Sequence, residues 1–140
     1  YYYAIEEFKK RIFKRKIDYI VGIESRGFIL GAALAQSLNC GFVPIRKKGK
    51  LPYTVISETY DLEYGKDTLE MHIDALEANN NVVLIDDVLA TGGTISASLK
   101  MLETFKVNII ECQFLIEIKA LKGHEKIVSL NKKYYSLINF

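Results

Sequence analysis

Two hydrophobic rhythms alternate along the chain. In residues 1–16, YYYAIEEFKKRIFKRK, the apolar Ile5, Phe8, Ile12 and Phe13 recur at helical spacing with charged residues opposite, which predicts an amphipathic helix. IDYIVGI (17–23) is instead a continuous apolar run, the signature of a strand buried on both faces. ESRG interrupts it, GFILGAALAQSL (27–38) suits a buried helix, and GFVPIR (41–46) is a second strand. After the loop KKGK, residues 54–73 predict two strands joined by a turn at Gly65-Lys66, an irregular hairpin. A strand over 82–86, a helix over 94–105 with Thr94 near its start, and a strand over 107–118 follow. KALKGHEKI (119–127) reads as a loop and YYSLIN (134–139) as a last strand.

Helices alternating with fully apolar strands predict a single α/β domain over residues 1–140, built on a mostly parallel sheet with helices on both faces. In such sheets ligands bind beyond the carboxyl ends of the strands. Three loops fall at that edge, 24–27, 47–52 and 86–94, and the chemistry is to be sought there. Composition adds little to this picture: the 140 residues are 49% apolar, enough for a core, and the net charge of +2 argues against a nucleic-acid partner. Cys40 and Cys112 have no metal-ligand spacing and read as buried thiols in a reducing, cytoplasmic compartment. No apolar run reaches membrane-spanning length. The chain opens on Tyr1 rather than Met, which leads us to expect residues upstream of it.

The most informative stretch is VVLIDDVLATGGT (82–94). Small residues let the amides of Ala90, Thr91, Gly92, Gly93 and Thr94 converge on one hollow, and the following helix adds its free N-terminal amides and positive dipole end. Such a hollow holds a phosphate dianion. Thr91 and Thr94 add hydroxyl donors, while Asp86 and Asp87 would repel a phosphate and instead call for sugar hydroxyls or a metal ion. One ligand satisfies both halves, a ribose 5-phosphate. The bland alternative is an ordinary strand-to-helix connection with an acidic turn. In ESRG, Ser25, Arg26 and Gly27 offer a guanidinium and backbone amides to an anion, or else simply cap a helix. RKKGK (46–50) carries four positive charges in five residues, either a solvated face or a grip on an anion. His72 and His124 have no partners at metal-ligand spacing and read as structural or surface residues; Gly27 and Gly31 are spaced for close helix packing.

The thirteen-residue stretch resembles the 5-phosphoribosyl 1-pyrophosphate (PRPP) motif of the type I phosphoribosyltransferases. IVGIESRGFILGAALAQSL (20–38), RKKGKLP (46–52), YDLEYGKDTLEMHIDAL (60–76) and ALKGHEK (120–126) are similar to the adenine phosphoribosyltransferases among them, in the same order and over essentially the whole chain. The resemblance implies the type I phosphoribosyltransferase fold, a twisted, mostly parallel sheet flanked by helices with an irregular hairpin lid at about 48–66 and a PRPP loop at 86–94. It implies the purine-salvage reaction adenine + PRPP ⇌ AMP + pyrophosphate, with Mg2+ carried by PRPP and no direct metal ligands, and a homodimer. It assigns Asp86 and Asp87 to the ribose and residues Ala90 to Thr94 to the 5-phosphate. Ser25, Arg26, Gly27, Arg46 and Lys50 are assigned to pyrophosphate, with a cis peptide between Glu24 and Ser25. Glu63 is implied as the proton-transfer residue, Tyr64 as part of the lid, and Ile118 with Ala90 as what remains of a base pocket. The family also carries a hood ahead of the first helix that supplies most contacts to adenine; no such stretch occurs in these 140 residues, since residue 1 is read as already helical. Two other readings stay open, a phosphoribosyltransferase for another base and a PRPP-sensing regulator that has lost catalysis. The motifs of dinucleotide-binding and Walker-type loops are missing.

Overall fold

The computed structural model describes residues 1–62 and 64–140. The elements run α1 (Tyr2–Ile12), β1 (Tyr19–Ile23), α2 (Arg26–Leu38), β2 (Gly41–Lys47), β3 (Val55–Leu62), β4 (Gly65–His72), β5 (Asn81–Leu89), α3 (Gly93–Thr104), β6 (Asn108–Glu117), a 3-10 turn (Lys119–Leu121), α4 (His124–Ser129) and β7 (Tyr134–Asn139). The seven strands form one sheet in the order β3-β4-β2-β1-β5-β6-β7. The neighbours from β2 through β7 pair in parallel, and the β3–β4 hairpin joins antiparallel to β2. None of the helices among the described residues is long and apolar enough to cross a membrane.

Burial on both faces explains the unbroken apolar runs. Val82, Val83, Leu84 and Ile85 of β5 are all fully buried. Val83 and Ile85 pack into a core with Ile5, Phe8, Ile12, Leu30 and Leu34 of α1 and α2. Val82 and Leu84 belong to a second core with Ile95, Leu99, Met101 and Leu102 of α3 and Ile127 of α4. The spacing of Gly27 and Gly31 has the expected use: a Cβ on Gly31 would lie 2.7 Å from the Phe42 ring, and one on Gly27 2.9 Å from the Ile85 carbonyl oxygen. Glycine here lets α2 sit directly on the sheet. The helix stops at Asn39, whose left-handed backbone (φ 53°) takes the C-cap geometry.

Several expectations need correction. Phe13 does not join the apolar face of α1; the helix ends before it and its ring is 57% exposed. The hairpin closes between the paired residues Leu62 and Gly65, so Gly65 and Lys66 lie in β4 and not in the turn. The strand read as 82–86 continues to Leu89, because Val88 and Leu89 keep pairing with Ile116 and Glu117. KALKGHEKI is not a loop: it forms the 3-10 turn and α4, anchored by the fully buried Ile127. Cys40 is only half-buried, whereas Cys112 is fully buried and burial pushes its thiol up to about 12; both are free.

Candidate active site

The carboxyl ends of β1, β2 and β5 meet at a cavity of about 390 Å³ lined by Glu24, Ser25, Arg26, Lys47, Asp86, Asp87, Val88, Ala90 and Thr94. Two of the three loops marked from sequence, 24–27 and 86–94, therefore converge, and the third enters through Lys47. A smaller hollow of about 70 Å³ adjoins it, walled by residues 88–95 with Asp86 and Phe114. Gly92, one of its lining residues, has φ 78°, a left-handed conformation at the N-cap of α3. A left-handed residue followed by helical ones turns successive amides to one side, and the first turn of a helix leaves its N–H groups free. A turn of this kind can offer free amides to an anion.

The acids sit inside β5 rather than after it, so they point to opposite sides of the strand. Asp86 accepts the Asp87 amide at 2.9 Å and packs against Gly27 at the start of α2. Burial, and beyond it the charge of Asp87, pushes the Asp86 carboxyl up to about 7 despite that amide bond. Asp87 pairs with the guanidinium of Arg26. The two residues assigned to opposite ends of one ligand thus hold each other across the cavity.

The peptide bond between Glu24 and Ser25 is cis. Glu24 itself is a hub: its carboxylate accepts the Lys47 amide at 2.7 Å, pairs with Lys50, and lies 3.5 Å from Arg46 Nε. Burial works against its charge, but the Lys50 and Lys47 hydrogen bonds and the Arg46 charge outweigh it and hold the carboxyl below the usual range. Arg46 also donates to the Lys50 carbonyl at 3.0 Å. Neither Arg46 nor Lys50 lines the cavity; from that basic run it is Lys47 that does, beside Arg26. Its ammonium is held by Asp67 and donates to the Tyr60 hydroxyl at 3.2 Å. Burial opposes the Lys47 charge, and its bonds with Asp67 and Tyr60 overcome that and raise its proton affinity. Tyr60 reaches on to the smaller hollow, since Thr94 Oγ1 donates to its hydroxyl at 3.3 Å.

Lys47 and Tyr60 are the residues that sequence reasoning passed over. A signal for Lys47 existed: in β2 it shares a face with the buried Val43 and Ile45, the α3 side, while Arg46 alternates to the other. Tyr60 carried none, because only the folded hairpin lays β3 on α3. Of the lid residues, Tyr64 is 94% exposed, and Glu63 lies outside the described residues. Ile118 is half-buried, with its amide donating to Leu89 O at 2.9 Å, and does not line the main cavity.

Comparison with known proteins gives the same picture. Residues 3–139 match the phosphoribosyl transferase domain family. The adenine phosphoribosyltransferase of Brachyspira hyodysenteriae is 55% identical over 125 residues, covering 89% of this chain and 74% of that protein. The crystal structure of adenine phosphoribosyltransferase from Rhodothermus marinus superposes with a TM-score of 0.93 at 46% identity, covering 98% of this chain and 77% of that one. The Saccharomyces cerevisiae enzyme, complexed with an imino-altritol bisphosphate and adenine, superposes with a TM-score of 0.87 at 42% identity, covering 96% and 75%. With a cavity of this construction at the expected strand ends, the chain belongs to the phosphoribosyltransferase family, and within it to the adenine phosphoribosyltransferases.

Proposed function

We propose that this cavity binds PRPP and that the chain moves its 5-phosphoribosyl group to adenine, giving AMP and pyrophosphate. The observation that carries the reading is the adjoining pair of sites: an amide-lined hollow at Gly92 next to two strand-borne carboxylates. The 5-phosphate takes the amides of Ala90 to Thr94 and the Thr91 and Thr94 hydroxyls. The ribose hydroxyls donate to Asp86 and Asp87, and Arg26 leaves Asp87 for the pyrophosphate. Ser25, Gly27 and Lys47 complete the pyrophosphate grip, with Arg46 and Lys50 fixing the loop through Glu24 and free to turn toward the leaving group.

In the reaction the anomeric C–O bond to pyrophosphate breaks as a C–N bond to adenine forms. The sugar passes through a state with oxocarbenium character. Arg26 and Lys47 stabilise the leaving anion more as its charge grows, which is what accelerates the step. Glu63, the residue after Leu62 in the sequence, accepts the proton that the base gives up. The β3–β4 hairpin, with Tyr64 at its end, closes over the site and excludes water that would hydrolyse PRPP. Among the described residues no three His, Cys, Asp or Glu side chains gather as a metal cage. Magnesium is expected to arrive on PRPP, whose oxygens suit that hard cation. Bound there, the ion would neutralise pyrophosphate charge.

The working enzyme is proposed to be a cytoplasmic homodimer. Its free cysteines support a reducing compartment. An exposed apolar patch supports a second subunit: the Tyr1 hydroxyl reaches the Ile29 carbonyl, and Tyr2, Tyr3 and Ile29 are mostly exposed beside it. The decisive assay is AMP formation from adenine, PRPP and magnesium, run beside a panel of other bases. The Asp86→Asn, Asp87→Asn double variant should lose most of its PRPP affinity. Full activity in that variant, or turnover of another base in preference to adenine, would overturn the reading. Glu63→Gln should lower turnover with little change in the KM for PRPP.

A further inference from the structure

A second element presses on the turn that carries the anion hollow. Gly123, at the head of α4, is buried against it: a Cβ there would lie 2.2 Å from Ala90 O and 2.9 Å from Gly92 N. In return, a Cβ on Gly92 would lie 2.7 Å from Gly123 O. These are backbone-to-backbone approaches with nothing flexible between, so the place of Gly123 sets the place of the Gly92 amide.

His124 holds Gly123 there. Its Nδ1 lies 2.7 Å from Glu117 Oε1, a carboxylate whose side chain is only 2% exposed. Both atoms are buried and neither has a hydrogen-bond partner elsewhere among the described residues, so the two are left to face each other. The imidazole also stacks on Tyr134 of β7, with centroids 5.9 Å apart and planes 16° from parallel. Burial, and then the charge of Glu117, push the Tyr134 phenol up. Glu117 is itself the register partner of Leu89 across β5 and β6, and Leu89 immediately precedes Ala90. The path Leu89, Ala90, Gly92, Gly123, His124, Glu117 therefore closes on itself, and the Glu117–His124 contact is its one side-chain link.

We propose that Glu117 and His124 are positioning residues for the sugar's 5-phosphate: their contact clamps Gly123 against Ala90 and Gly92 and holds the amide hollow at the width a phosphate needs. This rests on the reading of residues 90–94 as the phosphate site. Calorimetric titration of the full chain with ribose 5-phosphate tests it, with inorganic pyrophosphate as a second ligand and thermal unfolding as a check on folding. His124→Leu and the nearly isosteric Glu117→Gln should each weaken ribose 5-phosphate about tenfold, the scale of effect that small displacements in a binding site produce. Pyrophosphate affinity should hold, and His124→Asn, which keeps an N–H facing Glu117, should regain most of the loss. Glu117→Gln carries the test should His124→Leu fail to fold. Thr94→Val separates the two readings. If it weakens ribose 5-phosphate while the folded His124 and Glu117 variants do not, the clamp is overturned and the phosphate site stands. If none of the variants changes the affinity, both fall. Equal losses for ribose 5-phosphate and pyrophosphate would also overturn the clamp, since they mark a general structural fault.

Discussion

Asp86 shows how much one residue depends on its surroundings. As a letter beside Asp87 it is one of two equivalent acids; in the fold it is half-buried, and the loss of water around it and its neighbour's charge raise it to about 7. A carboxyl raised in the folded state is protonated there while still ionised in the unfolded chain, over the window from about pH 4 to 7. Folding is therefore disfavoured progressively as pH rises through that window, and the full cost is present above it. Asp86→Asn removes the cost while keeping an oxygen for the Asp87 amide. In urea titrations the variant should be more stable than the parent by roughly 1–3 kcal/mol at pH 8, with the gain fading toward pH 4. A gain equal at both pH values would show that the carboxyl is not raised. The destabilising acid is retained because, in the proposed reading, ribose hydroxyls need an ionised acceptor at that point.

At the level of elements, the β3–β4 hairpin is the part proposed to close over the site. It is tied to the sheet through two register pairs, Arg46↔Glu70 and Lys47↔Leu69, and beyond them it rests on α3. Tyr60 is its main link to the site, joined to Lys47, Asp67 and Thr94. Lys100 and Glu58 add a mostly exposed ion pair at 3.2 Å, of the kind that contributes little. Tyr60→Phe keeps the ring against Gly93 and removes the shared hydroxyl. Hydrogen exchange of the β3 and β4 amides should speed up severalfold while global stability changes by only about 1 kcal/mol. Unchanged exchange would mean that packing alone holds the hairpin down. The same comparison explains a mistaken sequence reading: Gly65 marks a turn in any local analysis, yet pairing across the hairpin places it in β4, with φ 108° just after the turn.

Over the whole molecule, charge is concentrated rather than abundant. The net charge is only +2, yet Arg26, Arg46, Lys47 and Lys50 gather at one edge of the sheet. Each of these cations is already paired with an acid, Arg26 with Asp87, Lys47 with Asp67, and Arg46 and Lys50 with Glu24. In the proposed reading PRPP exchanges for those partners through charged contacts that a neutral base does not make. Raising ionic strength from about 0.05 to 0.5 M shortens the screening length severalfold. The KM for PRPP should rise accordingly, and that for adenine should hold. Equal sensitivity of both would place the effect on folding or assembly instead of on the site.

What the sequence determined by itself was whatever depends on neighbours along the chain. The unbroken apolar runs marked strands covered on both faces, and Gly27 and Gly31 marked a helix lying close on the sheet. ATGGT marked a turn able to bare its amides, because small residues permit that backbone whatever surrounds it. Only the tertiary structure decided which charges share a cavity. Lys47 and not Arg46 faces Asp86 and Asp87, Arg26 waits on Asp87, and Glu117 reaches through His124 to the loop at Gly92. Those outcomes turn on how far β5 extends, on which face of β2 meets α3, and on a short helix that local pattern reads as a loop. Each is set by contacts between residues far apart in the chain, which no periodicity records.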